Sequence, residues 1–215
     1  MTFVQIGSID KLRYYAGKRD MAVDGLHEAV VPLVRGHRVL DLGSGEGALS
    51  QRLRDAGHHV DESNDSDFNA PGWSKAYGKY DSVISIEVIE HLESPWWFIQ
   101  EAATLVKPGG QLLISTTNIE NPISKAIFLL RGKYFLFDAA ALSYGHISPL
   151  TEFQIKTICE ANGLELVQAV RAGTYPILYV HRDLKDTLIW SGIALAACLF
   201  SQNQSPCKIY DILKA

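Results

Sequence analysis

The chain has 215 residues, 47% hydrophobic and 20% charged, a balance that fits one globular domain and excludes a disordered tail, a collagen-like repeat or a coiled-coil rod. Lys+Arg 20 against Asp+Glu 24 give a net charge of −4, so no duplex nucleic-acid partner is expected. Cys159, Cys198 and Cys207 are an odd set without a close pair and read as reduced thiols. Met1–Gly7 lacks the basic start and apolar run of a signal peptide, so a cytoplasmic protein is expected.

Residues 8–35 read as helical, with Leu26, Val30, Leu33 and Val34 at helical spacing and Gly36 as a stop. Val39–Leu42 is a short apolar strand running into a glycine-rich turn, and Leu49–Ala56 is a helix closed by Gly57. His58–Glu62 offers a weak second strand, and residues 63–79, with Pro71, Gly72 and Gly78, read mostly as loop. Asp81–Ile86 has the β-branched content of a buried parallel strand. Pro95 opens a helix carrying Trp96, Trp97, Phe98, Ala102 and Leu105, and Lys107–Gly110 stops it. Gln111–Thr116 is a strand, 122–131 a short apolar helix, and Thr151–Gln154 a capping box for a helix ending near Gly163. Leu164–Val170 and Lys208–Leu213 complete the strands. Helices alternating with buried strands predict an α/β domain with a mostly parallel sheet.

The informative stretch is Val39–Gly47, where Asp41 is followed by Gly43, Ser44, Gly45, Glu46 and Gly47. Glycines at a strand end let a ligand approach the backbone closely. The spacing is G-x-G-x-G rather than the dinucleotide G-x-G-x-x-G. Asp41 would repel a pyrophosphate but attract a cation. S-adenosylmethionine, with an ammonium, a sulfonium and no phosphate, fits that combination better than NAD, which disfavours an oxidoreductase. A bare tight turn is the bland alternative. Glu62, nineteen residues after Gly43, is the candidate ribose acid; with Asp61, Asp65 and Asp67 it reads equally as part of a solvated acidic loop.

With these motifs in this order, the chain resembles class I S-adenosylmethionine-dependent methyltransferases, in the group that includes the ubiquinone-pathway O-methyltransferases. The resemblance rests on Val39–Gly47, Ile86–Leu92 and Leu105–Gly110 and covers about residues 35–170. It implies a Rossmann-like, seven-stranded sheet with helices on both faces and the last strand antiparallel. The cofactor would lie across the strand ends, facing Gly43, Gly45 and Gly47. Asp41 would serve its amino-acid end and Glu62 its ribose, with Glu87 and Val88 beside the methionine moiety. Ser44 and Glu46 belong to the same cofactor turn. Only nineteen residues separate Asp61 from Tyr80, so the third-strand region is abbreviated and a catalytically silent cofactor-binding module stays an alternative.

Glu87, Glu90 and His91 form E-x-x-E-H, which on a helical turn shares one face. Two carboxylates and an imidazole can deprotonate a hydroxyl or bind a divalent ion. A similar cluster with a distant second histidine binds metal in some ubiquinone-pathway and small-RNA 3′-end methyltransferases, and His146 is the candidate second histidine. Turn capping by Glu90 and His91 is the plain alternative, and acid–base work is favoured over metal here. His91 is the first choice of base, His146 the second and Glu90 their partner. His27, His37, His58, His59 and His181 have no supporting pattern. Core packing is the favoured reading of Trp96–Phe98.

The expected organisation is one domain over 1–215: N-terminal helices to 35, a cofactor core over 36–120, an acceptor lid over 121–150 and an apolar segment over 187–200. Leu188–Phe200 is uncharged and shorter than the roughly twenty residues a membrane span needs. It reads as a buried helix or a peripheral membrane contact. The function expected is O-methylation of a small-molecule, lipid or sugar hydroxyl, with methylation of another heteroatom or of an RNA end as rival.

Overall fold

The computed structural model describes residues 22–63, 67–137, 139–142, 145–173, 188, 191–192 and 205–214. Most of the 1–35 and 187–200 segments, Cys198, His181 and Asp65 lie outside these residues. Helix α1 (Leu26–Val30) runs into a 3-10 turn (Val31–Leu33) and strand β1 (Arg38–Leu42). Helix α2 (Ala48–Asp55), strand β2 (His59–Ser63) and a 3-10 turn (Trp73–Ala76) lead to β3 (Tyr80–Ser85). A 3-10 turn (Ile89–His91), α3 (Pro95–Leu105), β4 (Val106–Thr117), α4 (Pro122–Arg131) and α5 (Ala139–Leu142) follow. The fold closes with α6 (Glu152–Ala161), β5 (Leu164–Ala172) and β6 (Cys207–Lys214).

The sheet runs in the order β2-β1-β3-β4-β6-β5. β2, β1, β3 and β4 are mutually parallel, and the last strand, β6, is antiparallel to both neighbours. Its faces follow the alternation of strand side chains. Leu40, Leu42, Val83, Leu112 and Ile114 pack against α3 and α6. Val39, Ile84, Leu113 and Ile209 pack against α1 and α2. Helices thus cover both faces, as a parallel sheet requires. Among the described residues no strand lies between β2 and β3. Residues 67–77 instead supply Phe68 and Trp73, which pack edge-on to one another at 4.9 Å and against Phe98. No helix among the described residues is long and apolar enough to cross a membrane.

Helix starts follow local chemistry. Thr151 and Gln154 form the expected capping box of α6. Ser94 caps α3 through the Trp97 N–H, with Pro95 in the first turn. One boundary differs: Lys107–Gly110 not only ends α3 but already belongs to β4. Tyr80 pairs with Val106 and Ser82 with Gln111, so an irregularity absorbs the surplus residues. Gly110 is required there, because a Cβ would meet the Asp81 carbonyl oxygen at 2.8 Å.

A buried network ties β6 to the parallel strands. Asp211, fully buried, accepts from Arg35 Nη2 at 2.5 Å, Gln111 Nε2 at 2.7 Å and Gln168 Nε2 at 3.1 Å. Asp211→Ala leaves the buried Gln111 Nε2 with the Leu33 carbonyl alone, a loss of roughly 1–3 kcal/mol. The expected result is a lower urea midpoint at unchanged slope, with Asp211→Asn losing less; a wild-type midpoint for the alanine variant would contradict it.

Candidate active site

Every sequence-predicted site residue except His146 sits at or just beyond the carboxyl ends of the parallel strands, and His146 is folded back onto that edge. Strand order changes direction at β1, the usual place for a ligand crevice in an open α/β sheet. The turn after β1 holds Gly43, Gly45 and Gly47 at φ +77°, +58° and +78°, a region that side chains disfavour. The Gly43 N–H donates to the Ser63 carbonyl at 2.7 Å, and the Gly47 N–H to the Ser44 carbonyl at 2.9 Å. A Cβ on Gly43 would lie 2.6 Å from Val88 Cγ2, whereas one on Gly45 meets nothing within 4 Å. The turn is therefore clamped by Val88 at its base and open at Gly45. Ser44 is half-buried and Glu46 exposed.

Asp41 lies beneath this turn, 2% exposed, and accepts a 2.7 Å hydrogen bond from Ser50 Oγ in α2. Burial pushes its carboxyl up to about 6, against the Ser50 bond, with the nearby Glu62 charge adding to the rise. Glu62 pairs across the ladder with Asp41. Its carboxylate is 2.6 Å from Arg54 Nη1 and borders Gly47, where a Cβ would sit 3.4 Å from both oxygens.

The turn after β3 departs from a shared helical face. Glu87 adopts φ +56°, and its carboxylate turns inward. It accepts from Ser115 Oγ at 3.0 Å and from the Cys207 thiol at 3.4 Å. Burial raises its carboxyl despite both bonds. Glu90 is fully buried, and neither carboxylate oxygen has a hydrogen-bond partner among the described residues, although Thr116 and Thr117 lie beside it. Burial, then the Glu87 charge, holds Glu90 well above the ordinary carboxyl range.

Glu90, His91 and His146 bring ligand atoms within 4.8 Å of one another, and Glu87 stands outside this trio. The two imidazoles meet edge to face at 4.7 Å. The Glu90 carbonyl accepts from the Ile147 and Ser148 N–H groups at 2.9 and 3.0 Å, which folds the His146 loop back onto the turn. His146 Nδ1 lies 3.0 Å from the Leu136 carbonyl. A carbonyl only accepts, so Nδ1 carries a proton, and in the neutral ring Nε2 keeps its lone pair. A Cβ on Gly145 would come 3.1 Å from His91 Nδ1, so the glycine leaves the ring its place. Trp96 is about half exposed while Phe98 is buried in the core. His37 and His59 lie exposed and His58 half-buried near the opposite strand ends, and His27 is buried in α1.

Residues 13–169 match a methyltransferase domain family. The chain belongs to that family. It is a class I S-adenosylmethionine-dependent methyltransferase, and the open glycine turn fits a nucleoside donor. The chain is 26% identical over 175 residues to a ubiquinone biosynthesis O-methyltransferase of Aromatoleum aromaticum, covering 71% of this chain and 74% of that protein. It is 28% identical over 152 residues to the enzyme so named in Aeromonas salmonicida, covering 60% of this chain and 63% of that one. Among solved structures, the fold resembles mitomycin 7-O-methyltransferase (TM-score 0.58, 16% identity, 88% of this chain and 53% of that one). It also resembles magnesium protoporphyrin IX methyltransferase of Synechocystis (0.55, 18%, 96% and 91%).

Residues that the sequence reading did not assign to the site are Ser115, Thr116, Thr117 and Cys207. Ser115 and Cys207 reach Glu87 from 28 and 120 positions away, with no local signal to mark them.

Two outcomes follow for this methyltransferase. Gly45→Leu, at an open position, is expected to leave the fold in place and abolish S-adenosylhomocysteine binding in calorimetry; unchanged affinity would contradict the cradle. Asp41 has a raised folded pKa, so its contribution to stability is full below about pH 4 and lost as pH rises to about 6. Asp41→Asn keeps an acceptor for Ser50. It is expected to raise apo-protein stability at pH 7 by up to about 3 kcal/mol, with the gap closing near pH 4 in urea unfolding. A loss of stability at pH 7 would contradict this.

Proposed function

We propose that this methyltransferase acts on a hydroxyl oxygen of a small-molecule, lipid-linked or sugar acceptor. The observation that carries this reading is the convergence of Glu90, His91 and His146 within 4.8 Å, with His146 Nε2 left as an acceptor by the Leu136 carbonyl. The named activity of the O-methyltransferase relatives supports it. When bound, S-adenosylmethionine supplies an electrophilic methyl group on a sulfonium. Gly43, Gly45 and Gly47 seat that donor, and Asp41 and Glu87 give the site a negative field. His91 would take the proton of the acceptor hydroxyl, with His146 as second base, and the donor would supply its methyl group as the methyl carbon–sulfur bond breaks to leave a neutral thioether. Residues 121–150 cover the acceptor side, with His146 joined to the cover through Leu136.

A second reading is favoured by the unpartnered, buried Glu90 carboxylate. One carboxylate and two imidazoles make an N,N,O donor set that fits a divalent ion. Glu90, His91 and His146 would hold it, and it would lower the pKa of an acceptor hydroxyl. Without an ion, burial favours the protonated form of Glu90.

His91→Ala is expected to lower turnover roughly 10²–10⁴-fold at unchanged S-adenosylhomocysteine affinity, measured by product release on a panel of phenol, lipid-alcohol and sugar acceptors. Equal turnover would remove His91 from the chemistry, and turnover only with amine, carbon or RNA-end acceptors would overturn O-methylation. Loss of turnover on chelation, restored by Mg²⁺ or Mn²⁺, would select the metal reading.

A further inference from the structure

Strand register sets two carboxylates side by side at the ends of β1 and β2, where Asp41 pairs with Glu62. Like charges directly opposite one another in a sheet are unfavourable, and the Glu62 charge raises the Asp41 carboxyl. Helix α2 meets both acids. Ser50 and Arg54 are one helical turn apart and share a face of the helix. Ser50 is fully buried and donates its Oγ proton to Asp41 at 2.7 Å. Arg54 sets Nη1 2.6 Å from the Glu62 carboxylate, and its Nη2 donates to the Val60 carbonyl at 2.9 Å. The planar guanidinium thus holds the Glu62 side chain and the backbone of the same strand at once.

The same helix grows from the glycine turn, with Gly47 as its N-cap. Asp41 lies beneath that turn, and both Glu62 oxygens border Gly47. Two charged groups act on Asp41: Glu62 from β2 raises its carboxyl and Arg54 from α2 lowers it. β3 sets the apolar Ile84 beside it. On the same face of the sheet α1 brings Leu26 and Val30; its titratable groups are the buried His27 and Glu28, the latter paired with Arg52 at 2.5 Å. Glu46 of the turn is exposed. With both acids ionised and Arg54 paired, the cluster keeps a single net negative charge.

We infer that Ser50 and Arg54 are positioning residues of the methyl-donor site: α2 holds the Asp41 carboxylate through one and the Glu62 carboxylate through the other, and so keeps one negative charge under the open turn for a cationic donor. The inference deepens the proposed seating of the donor on Gly43, Gly45 and Gly47 and rests on it. Neither side chain needs to touch the donor. Ser50 steadies the ionised form of Asp41, because a hydroxyl that donates to a carboxylate favours its charge. Arg54 offsets the Glu62 charge that Asp41 would otherwise feel and fixes that carboxylate beside Gly47.

The test is calorimetry of S-adenosylmethionine on the full chain, without acceptor, from about pH 5 to about pH 8, on either side of the Asp41 titration. Wild-type affinity is expected to fall as pH drops through about 6, where Asp41 takes up its proton. Ser50→Ala is expected to move that midpoint up by about one pH unit. Its loss of affinity is then about tenfold near pH 5 and within about twofold near pH 8. A flat wild-type profile would overturn the inference, and so would a Ser50→Ala loss by one factor at every pH, as a merely structural role gives. Arg54→Gln is expected to weaken binding about fivefold at neutral pH, but less than about twofold in a chain already carrying Glu62→Gln. Arg54→Lys, which keeps the charge without the fork, recovers part of the loss. Equal arginine losses in the two backgrounds would overturn the inference, and this cycle stands even where Ser50→Ala fails to fold. Unchanged affinity in Gly45→Leu would strike the cradle itself. Loss of binding there, with one-factor serine losses and an additive arginine cycle, would strike the two positioning residues alone.

Discussion

Burying carboxylates at one edge of the sheet is the constraint on which the site depends. Asp41 sits under the glycine turn, and Glu87 and Glu90 sit on the neighbouring turn after β3; burial raises all three. An ionised carboxylate removed from water without a matched partner costs several kcal/mol, of the order that a whole domain can spare. Such groups persist either by holding a proton or by meeting a cation. A sulfonium donor carrying an ammonium would meet the need near Asp41, and a proton or a divalent ion would meet it at Glu90. The electrostatics thus prepare the edge for positive charge before any ligand arrives.

The scaffold holds these acids in place through long-range register. Asp41 pairs with Ile84 on β3 and with Glu62 on β2. Thr117 at the end of β4 pairs with Cys207 at the start of β6, which carries the Cys207 thiol to Glu87. Lys208, next along β6, is nearly buried and pairs with Glu120 at 2.6 Å and Glu152 at 2.9 Å, tying the start of α6 to the same edge. The antiparallel strand is therefore more than a sheet border: it supplies the far wall of the acidic turn. Its position rests on Asp211, whose hydrogen bonds reach β4, β5 and the segment before β1.

Much of this was legible in the sequence because the signals are local. Buried parallel strands read as apolar runs, so Val39–Leu42 and Asp81–Ile86 stood out, and β-turn glycines before a helix mark a close backbone approach. The Thr151–Gln154 cap needs only four residues to declare itself. What was hidden depends on packing. Lys107–Gly110 reads as a stop, yet an irregular pairing with Tyr80–Ser82 carries it into β4. The E-x-x-E-H spacing suggests one face, but the left-handed turn at Glu87 sends that carboxylate toward Ser115 and Cys207 instead. His146 was reached through resemblance, since 55 residues separate it from His91. The exposure of Phe128–Leu130 was equally hidden, because an apolar run looks the same whether it enters the core or leaves it.

The most direct check on the electrostatic account is the number of protons exchanged when S-adenosylmethionine binds, obtained from calorimetry at pH 6 in buffers of different ionisation heat. A cationic ligand seated over buried, partly protonated acids should drive protons off them, so net release is predicted. Proton uptake, or no exchange at pH 6, would contradict the idea that these carboxylates are there to meet positive charge.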